Sequence, residues 1–180
     1  MKKLLILLLV LLSFNFGYGQ ANTKEQELSK AVKFSSKSGT LIKKEFINVG
    51  TLKDVKIQVI HYTDLISNTS VDALRFEHEV VGSYSSDTKV ALLDTDEIDG
   101  LIKSIKMMQE KVFTSTPKYY TEVTYKSRGG FEAGCFWSSK GKWSTYLKLE
   151  KFDDKSYVFL KQSDFPELLK LLNKAKTMMK

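Results

Sequence analysis

Two stretches of the chain carry the same succession of apolar and polar positions. Across residues 91–105 a short apolar run meets acidic residues and continues as Ile98, Leu101, Ile102 and Ile105, the spacing of an amphipathic helix. Across residues 158–172 the scheme returns as Phe165, Leu168, Leu169 and Leu172, at a constant offset of 67 residues. Asp96 and Ser163, both N-cap types, superpose at that offset, as do Lys103 and Lys170. The pattern predicts a duplicated unit: several strands closed by one helix.

The segments before each copy read as strands. Val55, Ile57 and Val59 alternate with Lys56 and Gln58, the period of a half-buried strand. β-Branched and aromatic residues mark strands over 40–49, 55–64 and 71–80, with turns at 50–54 and 67–70. Residues 82–88 read as an exposed loop, 90–94 as a short buried strand, and the first helix runs to about 112. After Pro117 the scheme repeats with strands at 119–126, 130–138, 142–150 and 156–161. The last helix starts near 163, with Pro166 in its first turn, where no amide bond is lost. Residues 21–33 are polar and predict a loose lead-in with at most a helical turn.

The expected fold is α+β: two tandem ββββα repeats whose antiparallel sheets are each covered by one helix. The first repeat spans 40–114 and the second 115–180, in one domain after a lead-in of residues 20–39. In topology this resembles the whirly and PUR-repeat proteins, in which ββββα units occur in pairs and bind single-stranded nucleic acid. The resemblance implies a sheet face able to take a polymer strand.

The N-terminus changes the compartment. Lys2 and Lys3 precede an unbroken apolar run from Leu4 to Leu12, and Gly17-Tyr18-Gly19 places small residues at a cleavage site. The run is too short for a membrane span, which takes ~20 residues, so residues 1–19 read as a signal peptide. Cys135 is the sole cysteine, which excludes an intrachain disulfide, and no cysteine follows the apolar run to take a lipid. Export without disulfides predicts a periplasmic or secreted protein of a Gram-negative bacterium, with no membrane span after cleavage. The charge of +7 falls to +5 without Lys2 and Lys3, which permits polyanion contact without requiring it.

Little in the chain points to catalysis. Gly134-Cys135-Phe136-Trp137 resembles the nucleophile segment of peptide methionine sulfoxide reductase A, which would make Cys135 a reactive thiol. A strand cysteine has neither the helix N-terminus nor the adjacent cation that activates a thiolate, and is expected to be structural. His61 and His78 sit on apolar strand faces too far apart to share a metal. Asp94, Asp96, Glu97 and Asp99 suit a helix start rather than a calcium loop. No cofactor or metal is expected.

Strand parity supplies a candidate surface instead. A turn centred on Lys140 pairs Trp137 with Trp143, Cys135 with Thr145 and Ala133 with Leu147 on a core face. The other face then carries Phe136, Tyr146 and Lys148, with Arg128 and Lys142 at its ends. Aromatics with cations on a sheet suit base stacking and phosphate tracking. The expectation is an interaction module with these five residues at its ligand surface. Its partner is a protein or polymer, nucleic acid or acidic polysaccharide being the polyanionic alternative, and homo-oligomerisation is compatible with the same face.

Overall fold

Alternating apolar residues build the strands, and short polar turns fold them back. The protein is described here by a computed structural model covering residues 27–138 and 140–179; the expected signal peptide and the start of the lead-in lie outside the described residues. A short helix, α1 (Lys30–Ser35), comes first. Strands β1 (Ile42–Leu52), β2 (Val55–Asp64), β3 (Thr69–Val81) and β4 (Ser86–Asp94) form one antiparallel sheet in chain order and lead into helix α2 (Thr95–Met107). Strands β5 (Thr121–Lys126), β6 (Glu132–Trp137), β7 (Trp143–Lys148) and β8 (Tyr157–Leu160) form a second such sheet and lead into helix α3 (Phe165–Met178). These are the two ββββα units of an α+β fold.

The duplication extends into packing. At the offset of 67, Ala91 and Val158, Leu93 and Leu160, Ile98 and Phe165, Leu101 and Leu168, and Ile105 and Leu172 are all buried. The capping bonds ahead of the helices match too, two residues before the expected caps. The Asp94 amide donates to Glu97 Oε2 at 2.9 Å, and the Lys161 amide donates to Asp164 Oδ2 at 2.7 Å. Asp94 rather than Asp96 is the first N-cap, because α2 already begins at Thr95. Ser163 lies inside a 3₁₀ turn, Gln162–Asp164, rather than capping α3.

Other differences have local causes. The first hairpin closes on two residues, Lys53 (φ 49°) and Asp54, so β1 runs through the expected turn. At the next turn Asp64 Oδ1 accepts the amides of Ile66 (3.0 Å) and Ser67 (3.3 Å). This sets His61 opposite Asp72 and His78 opposite Val55, two residues from their expected neighbours Leu74 and Ile57. An even shift keeps every side chain on its face, so the core is unaffected. The lead-in is a docked helix: α1 buries Ala31 and Phe34 against Ile60, Tyr62 and Ala73 on the outer face of the first sheet.

The helices join the two units. α2 packs on β3 and β4, and reaches β5, where Tyr125 Oη donates to the Glu97 carbonyl at 2.9 Å. α3 lies beside α2 and along β1 and β2 of the first sheet. Gly50 permits that approach, since a Cβ there would stand 2.6 Å from Leu171 Cδ2. Lys174 Nζ also donates to the Val49 carbonyl at 2.6 Å. Phe76 on β3 stacks on Phe131 ahead of β6 with centroids 4.7 Å apart, and both rings are buried. One continuous core therefore takes in both sheets and both long helices.

Both tryptophans, Trp137 and Trp143, lie in the second unit. Phe76→Ala in the first unit should lower stability by about 3–5 kcal/mol. The urea midpoint from tryptophan fluorescence should fall as far as that from far-UV circular dichroism. A fluorescence midpoint that stays put would mean that the units unfold separately.

Candidate ligand-binding face

The strand register sorts the second sheet into two faces. Val123, Cys135 and Thr145 share a cross-strand row with Leu160, and Ala133, Leu147 and Val158 belong to the same inward side. The β6–β7 register is the one the turn at Lys140 predicts, including Trp137 with Trp143 and Gly134 with Tyr146. On the outward side, Thr124, Gly134, Tyr146 and Phe159 form one row, and Lys126, Glu132, Lys148 and Tyr157 the next.

The outward side carries a chain of rings. Tyr120 lies 6.4 Å from Phe136, Phe136 lies 6.4 Å from Tyr146, and Tyr146 meets Tyr157 edge-on at 5.1 Å. Tyr157 stacks on Phe159 at 5.9 Å. The ends stand free in solvent, Tyr120 at 66% and Phe159 at 58% exposure, whereas Tyr146 in the middle is 7% exposed. Gly134 explains that burial. A Cβ there would lie 2.8 Å from Tyr146 Oη and 2.9 Å from the Val123 carbonyl, so glycine lets the ring lie against the sheet. Tyr146 Oη shares a 3.1 Å hydrogen bond with Thr124 Oγ1, and burial raises the phenol pKa.

Charges on this face are matched. Lys148 is buried along its stem, with Nζ 3.2 Å from Asp154 Oδ1 and 4.6 Å from the Tyr157 centroid. Lys126 pairs with Glu132 at 2.7 Å, and Tyr120 Oη donates to Glu122. The result is a flat aromatic strip with balanced charge.

Of the five residues read from the sequence, Phe136, Tyr146 and Lys148 come together on this face. Lys142 is exposed in the β6–β7 turn, at the opposite end of β7 from Lys148. Arg128 turns away from the face. Its guanidinium binds Asp94 Oδ2 at 2.6 Å and Asp96 Oδ2 at 2.8 Å, while its amide donates to Glu97 Oε1 at 2.6 Å. Asp94 also accepts the α1 amides of Lys30 (2.8 Å) and Ala31 (3.1 Å). Lys30 Nζ completes the cluster on Asp96 at 2.8 Å. The acidic run at the start of α2 thus anchors two other elements as well as its own helix. Sequence reasoning missed Tyr120, Tyr157 and Phe159. The alternation of Tyr157 and Phe159 with buried Val158 and Leu160 was the signal for the last two.

Other reactive groups are enclosed or engaged. Cys135 is fully buried, and burial pushes its thiol up to about 12, the reverse of activation. His61 Nδ1 pairs with Asp72 beside a 190 Å³ cavity that Glu45, Ile47 and Met178 also line. His78 Nδ1 lies 3.2 Å from the Asp54 carbonyl. Among the described residues, no group of three or more His, Cys, Asp or Glu is placed to hold a metal ion. No helix among them is long and apolar enough to cross a membrane. No protein-family model, curated protein or solved structure matches the chain.

Arg128→Met should cost about 2–3 kcal/mol in urea unfolding, because it strips a buried carboxylate of its cation. Lys30 first, then Arg128, hold the Asp96 carboxyl below the usual range. Stability from that shift is complete above about pH 4, the unfolded carboxylate value, and is lost as pH falls below it. The variant should therefore lose less of its remaining stability on acidification than the parent; equal losses would place the acid-sensitive group elsewhere. Separately, a thiol reagent should label Cys135 only after denaturant is added, and rapid labelling of the folded protein would contradict its enclosure.

Proposed function

We propose that the protein is an exported binding module that engages its partner through the open face of the second sheet. The observation that carries this reading is the strip from Tyr120 through Phe136, Tyr146 and Tyr157 to Phe159. Rings half in solvent offer contact area at low entropic cost, which is why tyrosine recurs at binding surfaces. Tyr146 and Lys148 form its floor, and Phe136, Phe159 and Tyr120 make the contact. With Lys126 and Lys148 already paired to acids, the face suits a partner that presents flat apolar groups rather than dense charge. Export rests on residues 1–19.

A second reading, a polyanion binder, draws on the excess of 28 basic over 21 acidic residues and on the likeness to paired ββββα nucleic-acid binders. Its mark is steep salt dependence.

The test compares the parent with Phe136→Ser/Phe159→Ser, both residues lying at the solvent side of the strip. Both proteins are immobilised and exposed to envelope glycans and proteins, and a labelled single-stranded oligonucleotide is titrated at low and high salt. The parent should retain a partner that the variant releases, with the variant's melting transition still cooperative and oligonucleotide anisotropy flat at low salt. Equal retention by both proteins would remove the face from the function. Salt-sensitive oligonucleotide binding would favour the polyanion reading.

A further inference from the structure

Helix α2 does not end cleanly. Its last residues pass into a π turn, Met108–Val112, closed by the Phe113 amide donating to the Met108 carbonyl at 2.9 Å. π turns widen a helix locally and gather at functional sites. Here the widened turn faces β5 across a cavity of 280 Å³. Met107, Met108, Val112 and Val123 give it an apolar lining, and Lys103 and Lys111 stand on it as well. Neither lysine forms an ion pair among the described residues, unlike Lys126 and Lys148 on the sheet face. Met107 is 42% exposed, so the cavity opens to solvent.

We infer that this cavity binds a free single-chain fatty carboxylate, with the acyl chain against the methionines and Val123 and the carboxylate between Lys103 and Lys111. Three features converge on that chemistry. Methionine side chains adapt to unbranched chains because their thioethers are flexible and polarisable. Besides the lysines, the polar side chains on the lining are Ser104, Thr124 and Tyr125, and the last two are already hydrogen-bonded to Tyr146 and to the Glu97 carbonyl, so an aliphatic body is the fitting occupant. The two unpaired cations call for an anionic head at the mouth. The site borders the ring-bearing face at Thr124 but does not rest on that face's role.

Isothermal titration of the purified protein with decanoate, kept below its micelle concentration, tests the assignment. Saturable one-to-one binding is expected. Butyrate should bind more than about a hundredfold more weakly, since each buried methylene is worth about fourfold. Lys103→Glu/Lys111→Glu, two exposed positions, should weaken decanoate about tenfold or more by removing the cations and adding repulsion. The methyl resonances of Met107, Met108, Val112 and Val123 should shift on binding. Absent saturation, equal affinity in the double variant, or unmoved methyls would overturn the proposal. Sedimentation with anionic phospholipid vesicles in place of decanoate binding would overturn it too, assigning the lysines to a membrane surface.

Discussion

Asp94 is the constraint on which the assembly turns. Its carboxylate is nearly out of solvent at the joint between β4 and α2, and such a charge is costly unless every oxygen is met. It is met by Arg128 from the β5–β6 loop and by the first amides of α1. One carboxylate therefore places the N-terminal helix, the first long helix and a loop of the second unit. A second ionic joint lies along the same strand: buried Lys89 pairs with Asp87 and reaches across to Asp153 in the β7–β8 connection. Between the joints the Val90 amide donates to Glu150 Oε1 at 3.4 Å, and Gly129 passes so near that a Cβ on it would stand 3.2 Å from the Leu92 carbonyl. An edge strand that could have paired with another chain is thereby covered by loops of its own molecule.

The inner faces of both sheets are spent on the shared core, so what remains for a partner is on the outside. The two outer faces have diverged. On the first, α1 covers Ile60, Tyr62 and Ala73, leaving Phe46 at the margin beneath Arg75. On the second, the aromatic strip stays uncovered and its cations are neutralised by neighbours. Duplication thus supplied two equivalent frameworks, and among the described residues a helix covers the outer face of the first but not that of the second. The methionine-lined cavity arises at the junction itself, where α2 leaves its own sheet and meets β5 of the next.

Much of this was legible along the chain because it is set by local period. Alternation placed Val55, Ile57 and Val59 inside, the helical spacing placed Leu101 and Ile105, and the turn at Lys140 aligned Gly134 with Tyr146. Each depends on backbone geometry that repeats every two or 3.6 residues. The 67-residue offset disclosed the duplication for the same reason.

Tertiary structure alone decided the partners of the charges and the seating of the helices. Arg128 looked available for a ligand until the fold brought it to Asp94, 34 residues away in sequence. Residues 21–33 read as a loose polar lead-in until the first sheet gave Ala31 and Phe34 a surface. The seating of α3 along β1 brings Leu171 against Gly50, a meeting that no local pattern encodes. Periodicity assigns a side chain to a face at once, whereas ion pairing and close approach depend on which distant segments share the space, and that is settled only when the core closes.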